Sequence, residues 1–150
     1  MAATVELRDT QINELSAFCD MEQDDCAVNF VRAYPLERHQ QEFARKSFIY
    51  KSVYHADHLV GFVVLILDDD GRSLELKRIV IAERNKGFGK EVLAAIPQIC
   101  RELDRSRIWL DVFDDNERAR HVYEAAGCTN FGSRPLEERT LLLYELIVSN

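Results

Sequence analysis

The run Arg84-Asn85-Lys86-Gly87-Phe88-Gly89-Lys90 sets two glycines and three cations where a strand pattern gives way to a helix pattern. Glycine lets a backbone approach a ligand closely, the first helical turn leaves N–H groups unpaired, and the helix dipole adds positive potential at that end. The combination forms an anion cradle. Between Lys77 and Lys90 five basic residues (Lys77, Arg78, Arg84, Lys86, Lys90) stand against one acid, Glu83, so phosphate is the expected guest. Walker A spacing is missing, because Glu91 follows Lys90, and a dinucleotide fingerprint is missing, because position 92 is Val92. On spacing alone, a glycine-rich turn with solvated lysines fits the run as well as a cradle does.

Other reactive residue types read more plainly. Cys19, Cys26, Cys100 and Cys128 form no C-x-x-C pair, and no histidine completes a zinc spacing, so reduced, mostly buried thiols are expected. His55 and His58 flank a predicted turn instead of sharing a helix face, and His121, beside Glu117 and Glu124, reads as solvent-facing. Asp68-Asp69-Asp70 lacks the ligand spacing of a calcium loop and reads as a solvated turn. Asp114-Asp115, with Asn116, reads as a helix cap. No metal is expected.

The elements that must position the cradle follow from hydrophobic periodicity. Val5 to Arg8 alternates like a strand, and Asp9 or Thr10 caps a helix to about Met21 with Ile12, Leu15, Ala17 and Phe18 inward. A polar loop passes through Asp24 and Asp25, and Pro35 opens a helix from Leu36 to about Lys46. Two β-rich runs from Ser47 to Leu67 flank Ala56-Asp57 as a hairpin, and Leu74 to Ile81 makes a third strand. A helix from about Gly87 to Asp104 buries Phe88, Val92, Ala95, Ile99 and Leu103, with a kink expected near Leu93 because Pro97 lies inside it. Arg107 to Phe113 is a strand, a short helix marked by Ala119, Val122, Tyr123 and Ala126 ends at Gly127, and strands at about Cys128 to Ser133 and Arg139 to Val148 close the chain. Strand, helix, strand from Leu74 to Phe113 demands a right-handed parallel pair among antiparallel hairpins. The fold class is therefore α+β, a mixed, largely antiparallel twisted sheet with helices on both faces.

The chain has 150 residues, 47% apolar and 30% charged, the composition of one globular domain spanning 1–150. No repeat or linker divides it. Met1 to Thr4 lacks the marks of a signal peptide and no apolar run is long enough to span a bilayer, so a cytoplasmic location without membrane partners is expected. The net charge of -7 argues against a nucleic-acid partner. Residues 1–75 carry 14 acidic and 7 basic groups, whereas residues 76–150 carry 12 of each, so a cationic ligand is expected to meet the first half.

Arg84-x-x-Gly87-x-Gly89 after a strand and before a helix resembles the acyl-CoA pyrophosphate loop of the GNAT N-acetyltransferase superfamily. Trp109-Leu-Asp-Val-Phe-Asp-Asp-Asn116, followed by Tyr123 and Gly127, resembles that family's next motif. The resemblance runs from about Leu59 to Tyr144. It implies the GNAT-like fold, with a parallel strand pair that splays apart, and acetyl-CoA as co-substrate. It further implies pantetheine along the strand at Ile79 and Ile81, pyrophosphate at Arg84 and on the amides of Lys86, Gly87, Phe88, Gly89 and Lys90, and the cofactor arm against Asn116. Tyr123 would stand near the thioester sulfur. The connection from Ile81 to Arg84 lacks the proline usual in the family.

The resemblance also implies acetyl transfer to a primary amine by direct attack in a ternary complex. An amine of pKa near 10.4 must lose its proton, at about 4–5 kcal/mol at pH 7, so a base is needed. Glu75, where many family members carry a catalytic glutamate, is the implied base; a strand carboxylate paired with a cross-strand lysine is the alternative. Tyr123 is the implied acid, although a thiol of pKa near 8.5 leaves with only about 2 kcal/mol of penalty, and a core tyrosine is the alternative. Main-chain N–H groups on the splayed strand would hold the carbonyl oxygen as it gains charge. A degenerate acyl-CoA-binding sensor is the second functional reading, and a plain interaction domain the third. The acceptor is expected to be a small-molecule or peptide amine, cationic in keeping with the acidic first half: a polyamine, an aminoglycoside or a lysine-containing peptide. A homodimer is a further expectation, since family members are often dimers.

Overall fold

The structure, a computed structural model, describes residues 5–23, 33–83 and 87–149. The loop expected through Asp24 and Asp25, Cys26, and Arg84 to Lys86 lie outside the described residues. In chain order the elements are β1 (Glu6–Asp9), a 3-10 turn (Ile12–Glu14), α1 (Leu15–Glu22), α2 (Leu36–Phe43), β2 (Phe48–His55), β3 (His58–Leu67), β4 (Ser73–Ile81), α3 (Phe88–Glu102), β5 (Arg107–Phe113), α4 (Glu117–Ala125), β6 (Thr129–Leu136) and β7 (Arg139–Ile147). The strands form one sheet in the order β1-β2-β3-β4-β5-β7-β6. Every neighbouring pair is antiparallel except β4 with β5, as the strand–helix–strand pattern requires. No helix among the described residues is long and apolar enough to cross a membrane.

Two cores lie on opposite faces of this sheet. Phe88, Val92, Ile96, Ile99 and Cys100 of α3 pack on Leu74, Leu76, Ile108, Leu110 and Val112, with Ala119 and Tyr123 of α4 against the same cluster. On the other face Leu15 and Phe18 of α1 pack on Tyr50, Phe62, Val64 and Val80. The hairpin turn falls at Ala56 and Asp57, whose φ values of 49° and 65° suit the right-handed twist of β2 and β3.

Several local expectations need correction. Ile12 is 66% exposed instead of inward, because the chain enters α1 through a 3-10 turn of three residues per turn, out of phase with the Leu15 and Phe18 stripe. The helix start is set by Glu14, which accepts from the Gln11 N–H at 2.9 Å, and neither Asp9 nor Thr10 caps it. Asp9 pairs with Lys51 at 2.6 Å and the Thr10 hydroxyl bonds Ser52 at 2.8 Å. α2 ends at Phe43, short of Lys46. α3 continues through Pro97, its buried face holding a helix that lacks one backbone bond. β6 runs on to Leu136 through Pro135, which an edge strand tolerates because its outer N–H side has no ladder partner.

Gly61 on β3 lies opposite Ile81 of β4, and a Cβ there would come within 2.4 Å of the Val80 carbonyl oxygen. Gly61→Ala is therefore expected to destabilise the fold by about 1–3 kcal/mol by forcing β3 and β4 apart. Thermal and urea melts should show a lowered midpoint, and an unchanged midpoint would mean the two strands separate freely.

Candidate active site

The parallel pairing of β4 with β5 lasts three residues, Ser73↔Arg107, Leu74↔Ile108 and Glu75↔Trp109, and then stops. Beyond Glu75 the edge of β4 facing β5 is open. Ala82 N–H donates to the Val60 carbonyl at 2.8 Å, so by the alternation of an antiparallel ladder the main-chain groups of Val80 and Arg78 point to β3. Those of Ile79 and Ile81 point to the open edge.

The short pairing is held by a clasp that the sequence reading took for a solvated turn. Asp70 accepts from the N–H groups of Arg72 (2.8 Å) and Ser73 (2.7 Å) and from the Ser73 hydroxyl (2.6 Å). These bonds, that of the hydroxyl first, lower its pKa to about 2. Arg107 donates to the same hydroxyl oxygen at 3.0 Å, Arg105 donates to the carbonyls of Asp68 (2.7 Å) and Ser73 (3.1 Å), and the Trp109 indole donates to the Asp68 carboxylate. The three-aspartate turn thus ties β4 to β5 at the closed end of the gap.

Glu75 sits at the last pair before the opening, half-buried. Its strand neighbours are Ile66 and Trp109, so the cross-strand lysine of the alternative reading is not beside it. Burial raises its pKa, Lys77 opposes the shift, and Asp111 and Asp68 add to it. Past Glu75 the register slips: Leu65 pairs with Leu76 and Val64 with Arg78, leaving Lys77 as the extra residue of a bulge. The bulge keeps Glu75 and Arg78 on the α1 face and returns Ile79 to the α3 face.

Tyr123 of α4 packs partly against the α3-side core. Burial first, then Cys128 and Asp111, push its pKa up to about 12, so the hydroxyl keeps its proton at neutral pH. Asp111 is thus close enough to act on both Glu75 and Tyr123, and it pairs with Arg134 at 2.8 Å. Asn116 caps α4 by itself, its Oδ1 accepting from the Ala119 N–H at 3.2 Å, while Asp115 pairs with Arg139 at 2.8 Å.

At the far end of β4, Gly87 is the N-cap of α3 in the left-handed region, with φ 75°, a conformation that favours glycine. No side chain among the described residues caps this end. Among the described residues a Cβ at Gly87 or Gly89 would meet nothing within 4 Å. The Phe88 side chain is core, 4% exposed and beside the His55 ring at 4.9 Å, which leaves only its main chain toward the cradle. Lys90 is exposed; Arg84 and Lys86 lie outside the described residues.

Arg78 does not belong to the phosphate charge. It turns to the opposite face, where its guanidinium donates to Glu22 at 2.6 Å. Glu22 and His39 are both fully buried, and Glu22 also accepts from His39 Nε2 at 2.7 Å and the Tyr34 N–H at 3.2 Å. His39 Nδ1 lies 2.8 Å from the Tyr50 hydroxyl. Glu22 lies just past the predicted end of the first helix at Met21 and His39 on the second, neither with a periodic signal of burial, so only their meeting in space reveals the cluster.

A family model described as the acetyltransferase (GNAT) family matches residues 11–128. The chain belongs to the GNAT acetyltransferase family. An uncharacterized N-acetyltransferase of Lactobacillus delbrueckii subsp. lactis is 31% identical over 81 residues, 49% of this chain and 47% of that relative, so the aligned stretch spans about half of it. The spermine/spermidine N(1)-acetyltransferase of Bacillus subtilis is 33% identical over 116 residues, 70% of this chain and 76% of the relative. Spermidine N-acetyltransferase of Vibrio cholerae, solved with CoA and spermine, superposes with TM-score 0.82 at 20% identity over 98% of this chain and 97% of that one. An aminoglycoside acetyltransferase solved with coenzyme A and kanamycin gives 0.82 at 16% identity over 95% and 94%. This GNAT protein is an N-acetyltransferase with acetyl-CoA as co-substrate.

The geometry fits that co-substrate, since a cradle at a helix N-terminus suits phosphates and a free strand edge suits an amide-bearing arm. Gly89→Asp places a carboxylate where a Cβ meets no described residue, so the melt of the free protein should hardly change while acetyl-CoA binding is abolished. For the wild type, millimolar acetyl-CoA should raise the melting temperature, because a ligand of the native state stabilises it. Calorimetric titration and thermal melts check both, and unchanged affinity in Gly89→Asp would place the phosphates elsewhere.

Proposed function

We propose that this protein transfers an acetyl group from acetyl-CoA to a primary amine of a cationic acceptor, by direct attack in a ternary complex. The carrying observation is the opening of β4 from β5 immediately past Glu75, with a half-buried carboxylate at its closed end; Asp111, which acts on that carboxylate, also acts on the protonated Tyr123 of the α3 side. Acetyl-CoA, when bound, supplies the thioester that the amine attacks. The main-chain groups of Ile79 and Ile81 bind the pantetheine arm. Arg84 and the amides of Lys86, Gly87, Phe88, Gly89 and Lys90 take the pyrophosphate, and Asn116 contacts the arm from α4.

Glu75 removes the amine's proton, directly or through water. Its raised pKa makes it a stronger base than an ordinary carboxylate, which narrows the gap to the ammonium it must deprotonate. Tyr123 donates its proton toward the departing sulfur. The acidic first half and the polyamine-acetylating Bacillus relative support a cationic acceptor such as a polyamine. Function as a homodimer in the cytoplasm is part of the same reading.

Glu75→Gln is expected to cut the neutral-pH rate by on the order of a hundredfold, partly recovered at higher pH, whereas Tyr123→Phe costs on the order of tenfold. Acetyl-CoA affinity should change little in either. The raised pKa of Glu75 means that the folded state binds its proton more tightly than the unfolded chain does, so ionisation costs stability above the folded-state pKa. Glu75→Gln should accordingly melt at or above the wild type at neutral pH, the difference vanishing as pH falls through that pKa to the ordinary carboxylate range. Thiol release across pH, with spermidine and an amine panel, tests the roles. An active Glu75→Gln with wild-type pH dependence beside an inactive Tyr123→Phe would reverse them, and no thiol release with any amine would favour a non-catalytic sensor.

A further inference from the structure

Glu75 stands at a border on its own face of the sheet. To one side, Leu15 and Phe18 of α1 cover Tyr50, Phe62, Val64 and Val80 of β2, β3 and β4. To the other, residues paired in register share a face, so Arg107, Trp109 and Glu145 turn the same way as Ser73 and Glu75. Among the described residues no member of β5, β6 or β7 belongs to the α1-side core. This half of the face satisfies its own charges and rings. Arg107 pairs with Glu145 at 2.7 Å and Arg134 with Asp111 at 2.8 Å, while Phe131 lies under Arg107 at 4.9 Å and Phe113 under Arg139 at 3.5 Å.

Trp109, the register partner of Glu75, is the exception. Among the described residues no cation lies over its indole and no ring stacks on it, although indole attracts cations more strongly than a phenyl ring does. Its N–H donates to the Asp68 carboxylate, which fixes the plane of the ring, and Asp68 has no ion-pair partner among the described residues. We propose that the Trp109 indole seats a second ammonium of the acceptor, so that a diamine is preferred over a monoamine. This rests on the reading that Glu75 takes the proton of the reacting amine. Neighbouring strands lie about 4.8 Å apart, so a spacer of roughly three or four methylenes carries one nitrogen to Glu75 and the other over the ring. In the transfer the carbon–sulfur bond of acetyl-CoA breaks and a carbon–nitrogen bond forms at the nitrogen beside Glu75. The products are the N-acetyl diamine, free CoA thiol and one proton, and the second ammonium is unchanged.

Trp109 is the only tryptophan of the chain, so indole fluorescence reads the seat directly and without turnover. Titration of the intact chain with putrescine in the presence of CoA is expected to change the emission saturably, with butylamine about tenfold weaker. In thiol-release kinetics Trp109→Leu should raise the KM for putrescine about tenfold at nearly constant kcat, and leave the KM for butylamine within about twofold. Trp109→Phe, which keeps a ring but loses the N–H, should fall between the two. Emission unmoved by putrescine, or moved equally by butylamine, overturns the proposal, as does an equal rise in KM for both amines in Trp109→Leu. A loss as large in Trp109→Phe as in Trp109→Leu would place the effect in the bond to Asp68 and overturn the role of the ring. Emission that follows protein concentration instead of putrescine would give this face to a second copy of the chain and overturn it as well. If the variants fail to fold, the wild-type titration decides. Thiol release equally fast with putrescine and butylamine at equal low concentration overturns the seat alone. If no amine releases thiol while putrescine still changes the emission, the transfer reading falls and the cation seat stands.

Discussion

Everything at the candidate site depends on how soon β4 parts from β5. Parallel strands joined by a helix on one face ordinarily continue to pair, since each unmade ladder bond leaves main-chain groups that need another partner. Here the pairing is fastened at one end by charge-assisted bonds among Asp68, Asp70, Ser73, Arg105 and Arg107, and stops after Glu75. The fastening makes the opening a fixed wedge. Main-chain groups along the free edge of β4 are then available to a ligand at a defined distance from the Glu75 carboxylate.

The bulge at Lys77 gives the same strand two tasks. Without the extra residue, strict alternation would carry Ile79 to the face of Glu75 and Arg78 to the face of Leu76. With it, Glu75 and Arg78 share the α1 face, while Ile79 and Ile81 pack toward α3. Arg78 then meets Glu22, and this buried pair ties the end of α1 to the strand that carries Glu75. Fully buried, Glu22 is costly unless every partner is present, and Arg78, His39 and the Tyr34 N–H supply them. α1 is thereby held to one position over the sheet on the side where an acceptor would approach Glu75.

Charge divides along the same lines. The N-terminal end of α3 carries the exposed Lys90, and the helix dipole adds positive potential there. At the wedge, Glu75, Asp68 and Asp111 gather acidic groups whose mutual repulsion adds to the desolvation of Glu75. An anionic co-substrate and a cationic acceptor would therefore approach from different directions.

The sequence by itself determined the order of strands and helices, the hairpin at Ala56-Asp57, the parallel crossover from Leu74 to Phe113, and the glycine-marked start of α3 at Gly87, because each rests on local periodicity, turn chemistry or a motif at fixed spacing. Asn116 as helix cap and Gly127 as helix stop were legible for the same reason. The inward placement of Ile12 failed because a 3-10 entry turn leaves no mark on a 3.6-residue pattern. Arg78 was misread because a charge count along the chain is blind to which face of a strand a bulge selects. Tertiary structure alone decided the length of the β4–β5 pairing, the clasp, the Glu22–His39–Arg78 cluster and the environment of Glu75, since each joins residues tens of positions apart. Their energies come from burial and from partners, and neither quantity exists until the chain has closed around them.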